Sequence, residues 1–118
     1  MTVVFPLQEY DLNTTLTSGQ AFRWYPAGDA WDGVIEGRWV RLRSDGARLL
    51  AETAGPVESW SWLEEYLALN EDLEAVLKTF PADEPLRAAV AQCRGLRLLR
   101  QDPWECLASF ILSSTKQI

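Results

Sequence analysis

Between Trp39 and Arg43 the chain alternates with a period of two. Val40 and Leu42 fall on one side, and Trp39, Arg41 and Arg43 on the other, as in a half-buried strand. Just upstream, "AFRWYPAGDAW" (21–31) places Phe22 and Trp24 on one side of an extended segment, which predicts both as core residues of the first strand. The segment then breaks at Pro26-Ala27-Gly28-Asp29, a strong turn signal. Gly37-Arg38 predicts a tight hairpin turn, and Asp45-Gly46 a second one leading into a strand in "ARLLAET". Three or four strands joined by short turns imply an antiparallel meander.

Further along the period lengthens to that of a helix. Leu73, Val76, Leu77 and Phe80 form an i, i+3, i+4, i+7 stripe behind Asn70, a good N-cap. Leu86, Ala89, Val90 and Cys93 repeat it behind Asp83, and Gly95 ends it. A less regular helix is predicted over about 58–68, with Leu63, Tyr66 and Leu67 on its inner face. The last helix has the clearest start: Asp102 as N-cap, Pro103 at the first position and Glu105 at the third. Leu107, Phe110 and Ile111 are its predicted buried face, packing is the expectation for Trp104, and no stop signal follows before Ile118. An apolar end inside a helix reads as truncation. Strands first and helices afterwards make the fold class α+β, not βαβ.

Composition narrows the chemistry. The chain has 118 residues, 47% hydrophobic and 24% charged, an ordinary globular balance. Apolar runs fall well short of the ~20 residues that span a bilayer, and residues 1–15 have no signal-peptide pattern, so a cytoplasmic protein without a membrane partner is expected. There is no His, which removes His-based triads; Cys93 and Cys106 lack metal-ligand spacing and are expected to be buried thiols. No metal and no cofactor are expected. The net charge is −6, but residues 93–118 carry Arg94, Arg97, Arg100 and Lys116 against two acids. A DNA-facing surface is therefore permitted at the C-terminal end.

Two stretches say more. "DLNTTLTSGQAFRW" (11–24) resembles the N-terminal signature of 8-oxoguanine DNA glycosylases of the helix-hairpin-helix superfamily. "GLRLLRQDPWECLASFILSS" (95–114) is similar to the segment that leads from that family's N-terminal domain into its helical one. "WDGVIEGRWVRL" and "YLALNEDLEAVL" fit the expected order between them. The resemblance implies a twisted antiparallel sheet like that of the TATA-binding protein (residues 1–100), with residues 101–118 opening an all-helical domain that the chain does not contain. It implies a monomer that extrudes 8-oxoguanine from double-stranded DNA and removes it with a lysine nucleophile assisted by an aspartate. Strand cleavage through a Schiff base would follow. Both catalytic residues would lie beyond Ile118, and Lys116 is not that lysine.

Within the motif, the resemblance implies that Gly19 offers its main-chain carbonyl to the proton on N7 of 8-oxoguanine, with Gln20 beside it at the base pocket. Arg23 is expected to brace the sheet or the domain junction through a salt bridge. Arg97 and Arg100 are open between phosphate contact and bracing. The sequence departs from the family at Thr115, Lys116 and Gln117, where animal and fungal members carry three asparagines, the first of which contacts the cytosine left unpaired by flipping. These three positions are the candidate DNA contacts, and the departure suggests a bacterial branch and leaves the opposite-base preference open. Two other readings stay open: an alkylpurine glycosylase of the same superfamily, and a non-catalytic binding module.

Overall fold

The computed structural model describes residues 1–115. Its centre is a five-stranded antiparallel sheet in the order β1-β5-β4-β3-β2, formed by β1 (Thr2–Pro6), β2 (Trp24–Ala27), β3 (Ala30–Ile35), β4 (Arg38–Ser44) and β5 (Arg48–Thr53). Strands β2 to β5 are the expected meander, and β1 adds to it from the chain start by pairing with β5. The alternation in β4 holds: Val40 and Leu42 are fully buried. They pair in register with Gly33 and Trp31 on one side and Thr53 and Ala51 on the other.

Turn chemistry fixes the meander. The β3–β4 turn is Glu36-Gly37, one residue earlier than predicted, with φ of 49° and 78°. A two-residue turn of this hand needs positive φ at both positions, and Gly37 meets that at the second. Asp45 builds the β4–β5 turn by accepting from Ala47 N (3.1 Å) and Arg48 N (2.8 Å). The first turn narrows to Gly28-Asp29, leaving Pro26 inside β2. Both outer strands are short and each carries a proline, Pro6 in β1 and Pro26 in β2.

Five helices accompany the sheet among the described residues. They are α1 (Leu12–Thr17), α2 (Ser61–Tyr66), α3 (Leu73–Leu77), α4 (Glu84–Gln92) and α5 (Pro103–Ser113), and α1 and α2 pack into the sheet's core. Leu12 and Leu16 of α1, Leu63 of α2 and the following Leu67 meet Val40, Leu42, Leu49 and Ala51 in one core, together with Tyr10 and Leu99. Trp24 joins them at 7% exposure, but Phe22 does not. Phe22 precedes β2 in a bend and is 40% exposed, because the extended segment starts two residues later than its pattern suggested. The cap of α3 is Asp72, which accepts from Ala75 N at 3.3 Å, and not Asn70. Asp83 caps α4 as expected.

The largest departure is α5. Asp102 caps it by accepting from Glu105 N at 2.9 Å. Its apolar face is not buried: Leu107, Phe110 and Ile111 are all exposed, as are Leu112 and, at 73%, Trp104. Cys93 and Cys106 are likewise exposed free thiols. The helix also stops, at Ser113. The hydroxyls of Ser113, Ser114 and Thr115 donate back to the carbonyls of Phe110, Ile111 and Leu112 and help close the last turn without a glycine. No helix among the described residues is long and apolar enough to cross a membrane.

Candidate functional site

Helix α1 is poor in intrinsic propensity, with three Thr in six residues, and depends on its ends. Asp11 caps it twice, accepting from Thr14 N (3.1 Å) and Thr14 Oγ1 (2.7 Å). At its other end the chain turns sharply through Ser18, Gly19 and Gln20. Gly19 has φ +89°, a conformation that L side chains rarely adopt, and a Cβ added there would meet nothing within 4 Å. The glycine is thus required by backbone geometry and not by crowding. Gly19 is exposed, and among the described residues no hydrogen bond reaches its carbonyl.

The two partners expected at the base pocket behave differently. Gln20 is turned inward. Its Nε2 donates to Arg97 O (2.6 Å) and Ser18 Oγ (3.1 Å), and its Oε1 accepts from Leu99 N (2.8 Å). Its own carbonyl accepts from Gln101 Nε2 at 2.5 Å. The side chain is spent on holding the 18–20 turn against the segment that leads into α5. Nothing in the local sequence pointed to partners that lie 77 to 81 residues away.

Arg23 does form the expected brace, meeting Glu105 of α5 at 2.9 Å. Glu105 is thereby turned toward the sheet. With the side chains about half and a third exposed, the pair contributes at most about 1 kcal/mol and mainly sets geometry. Between these elements lies a cleft of about 440 Å³, lined by Phe22, Arg23, Tyr66, Gln101, Asp102 and Glu105. Burial pushes the Tyr66 hydroxyl above the usual tyrosine range; it accepts from Trp24 Nε1 at 3.0 Å.

The expected basic end is largely neutralised. Arg94 pairs with Glu9 at 2.8 Å and with Glu74, and the Arg94 guanidinium holds the Glu9 carboxyl below the usual range. Arg100 pairs with Glu71 at 2.8 Å. Arg97 is buried, donating to Gln8 O (2.7 Å) and Glu9 O (3.1 Å) over the Tyr10 ring. It braces the fold and is not placed to reach a phosphate. Thr115 is exposed just past α5, whereas Lys116 and Gln117 lie outside the described residues. No group of three or more His, Cys, Asp or Glu that could hold a metal ion occurs among the described residues.

Comparison with known proteins bears on this geometry. Residues 2–107 match the family model described as 8-oxoguanine DNA glycosylase, N-terminal domain. The N-glycosylase/DNA lyase OGG1 of Arabidopsis thaliana is 32% identical over 97% of this chain and 34% of its own length. Among solved structures, MBOgg1 in complex with a low-affinity DNA ligand superposes with a TM-score of 0.88 at 30% identity, covering 98% of this chain and 41% of that one. The apo 8-oxoguanine glycosylase/lyase of Clostridium acetobutylicum does so with a TM-score of 0.87 at 28% identity, over 98% and 41%. The chain therefore spans about a third of the curated relative and about two fifths of the solved ones. With the model covering nearly its whole length, the chain belongs to the family of 8-oxoguanine DNA glycosylase N-terminal domains.

Proposed function

We propose that this chain is the base-reading part of a base-excision-repair glycosylase/lyase that removes 8-oxoguanine from double-stranded DNA. The observation that carries the reading is the exposed Gly19 carbonyl, which takes no hydrogen bond among the described residues and sits on a turn pinned from behind. A carbonyl accepts from the protonated N7 of 8-oxoguanine, whereas guanine presents a lone pair there. One such contact in a dry pocket discriminates by about 1–3 kcal/mol, mostly through the cost of the mismatched case.

On this reading the domain boundary falls near residue 100, and α5 is the first helix of the glycosylase domain. Its apolar face is the docking surface for the rest of that domain. Eleven residues at ~1.5 Å each make α5 about 16 Å long. It would run from the Gly19 turn, where Gln101 is anchored, to Thr115-Lys116-Gln117 at the opposite strand. The Thr115 hydroxyl donates to Leu112 O at 3.1 Å, which leaves its oxygen as an acceptor suited to the amino group of cytosine. Bacterial origin, and action on DNA in the cytoplasm, belong to the same proposal. The nucleophilic lysine and its aspartate partner lie outside these residues, and Lys116 takes neither role.

The test is activity of the full-length parent on duplexes carrying either 8-oxoguanine or an alkylated purine opposite cytosine. Excision of 8-oxoguanine with a borohydride-trapped covalent adduct is expected from the parent, and neither from the 118-residue chain alone. A parent that excised only the alkylated base would favour the alkylpurine reading. Adduct formation through Lys116 would overturn the assignment of catalysis to the remainder.

A further inference from the structure

The peptide unit that bears the Gly19 carbonyl is a rigid plate from Gly19 Cα to Gln20 Cα, so the oxygen moves only if the plate turns. At the Gly19 end a Cβ would find open space within 4 Å, and the preceding Ser18 is tied to α1 by its hydroxyl, which donates to Thr15 O at 3.0 Å. The long-range restraint comes from the Gln20 end. There the side-chain amide is held between Arg97 O (2.6 Å) and Leu99 N (2.8 Å), and the main-chain carbonyl accepts from Gln101 Nε2 (2.5 Å). Gln101 immediately precedes Asp102, the N-cap of α5. The orientation of the exposed oxygen is therefore set by two amides, one of which sits at the base of the following helix.

We infer that Gln20 and Gln101 act together as positioning residues for base reading, aiming the Gly19 carbonyl and tying its aim to the placement of α5. The inference rests on the reading of Gly19 given above. Neither glutamine touches the base. Gln20 cannot do so without giving up its bonds to Arg97 and Leu99, which leaves the partly buried Leu99 N–H without its acceptor. Each contributes by narrowing the range over which the plate rocks. A displacement of about 1 Å in a positioning contact is enough to cost up to ~100-fold in rate.

Ordinary scaffolding would produce the same bonds, so the test must separate aim from stability. In the full-length parent, Gln101→Met keeps length and volume but removes the donor to Gln20 O, and it leaves the Gln20 side-chain bonds intact. Single-turnover excision from an 8-oxoguanine:cytosine duplex is compared with the dissociation constant for the same duplex carrying a tetrahydrofuran abasic site. The abasic duplex retains the backbone and the opposite cytosine but presents no base to read. Excision is expected to fall about tenfold or more, the scale of one misdirected buried hydrogen bond, while abasic binding stays within about twofold, the scale of an untouched contact set. Equal losses on both duplexes, or no loss on either, would overturn the inference. Gly19→Ala run in parallel separates it from the underlying reading. If Gly19→Ala loses excision selectively and Gln101→Met does not, only the positioning role fails. If Gly19→Ala also spares excision, the carbonyl reading itself has failed.

Discussion

Gly33→Ala is the substitution whose outcome the structure constrains most tightly. Gly33 lies in β3 directly across from Trp24 in β2. A Cβ there would stand 2.4, 2.6 and 2.7 Å from Cε3, Cδ2 and Cζ3 of the indole, where ordinary contact begins at 3.4 Å. The ring would have to retreat by roughly 1 Å. It is 7% exposed, within the main core, and its Nε1 donates to Tyr66 OH at 3.0 Å. A retreat of that size along the ring normal lengthens and bends that bond, weakening it. Overpacking costs about 1–3 kcal/mol and the weakened bond about 0.5 kcal/mol. Against this, alanine stabilises by about 0.5–1 kcal/mol through the unfolded chain. The net loss is about 0.5–3 kcal/mol, or a melting point lower by roughly 2–20 °C for a domain of this size. Urea unfolding followed by tryptophan fluorescence measures the free energy, and near-ultraviolet circular dichroism gives the melting point. A change smaller than about 0.5 kcal/mol, the scatter of neutral surface substitutions, would refute the packing argument. In a Trp24→Leu background the penalty of Gly33→Ala should largely vanish, since the atoms it collides with are gone.

Three other outcomes are expected. Gly19→Ala should destabilise by about 1–2 kcal/mol, since positive φ is its only cost, yet lower 8-oxoguanine excision by the parent at least tenfold; matched losses in melting temperature and excision would leave a turn glycine and nothing more. Tyr10 is buried, its hydroxyl donates to Leu67 O at 2.7 Å, and burial holds its pKa far above the ordinary value. The unfolded chain therefore ionises first, so stability present below pH ~10 falls as pH rises beyond it, by up to ~1.4 kcal/mol per pH unit. Tyr10→Phe should flatten that slope in chemical denaturation between pH 9 and 11, and an unchanged slope would exclude Tyr10 as its source. The 118-residue chain should bind a hydrophobic dye and self-associate in sedimentation experiments through α5, and Phe110→Ser with Leu107→Ser should abolish both.

What was legible in the sequence was what local chemistry encodes. The period-two run through Val40 and Leu42, the Asp45-Gly46 turn and the Asp83 and Asp102 caps are each set within a few residues, and each stands in the structure. Strand β1 escaped notice because "TVVFP" is short, half-exposed and unflanked by turn residues. Helix α1 escaped because its six residues are mostly Thr and Asn, and tertiary burial of Leu12, Thr15 and Leu16 overrides propensity. The α5 stripe forms one face but that face is exposed, because periodicity marks a surface without saying what covers it. Cys93 and Cys106 misled for the same reason. Arg94, Arg97 and Arg100 do not make a basic end because Glu9, Glu74 and Glu71 reach Arg94 and Arg100 from elsewhere in the chain, and Arg97 is buried against main-chain carbonyls. At the candidate site, the motif gave Gly19 its place, but the work of Gln20 became visible only once residues 97–101 were beside it.

The prolines of the two outer strands carry a consequence for how this domain behaves when crowded. Strand addition needs a row of free amide protons, and Pro6 and Pro26 each delete one from strands of only five and four residues. The sheet is thereby closed to templated growth on both sides. Any association through α5 then rests on side chains alone, which can pair up and saturate but offer no ladder to extend. Overloaded, the domain should settle into small reversible assemblies and not into fibrils.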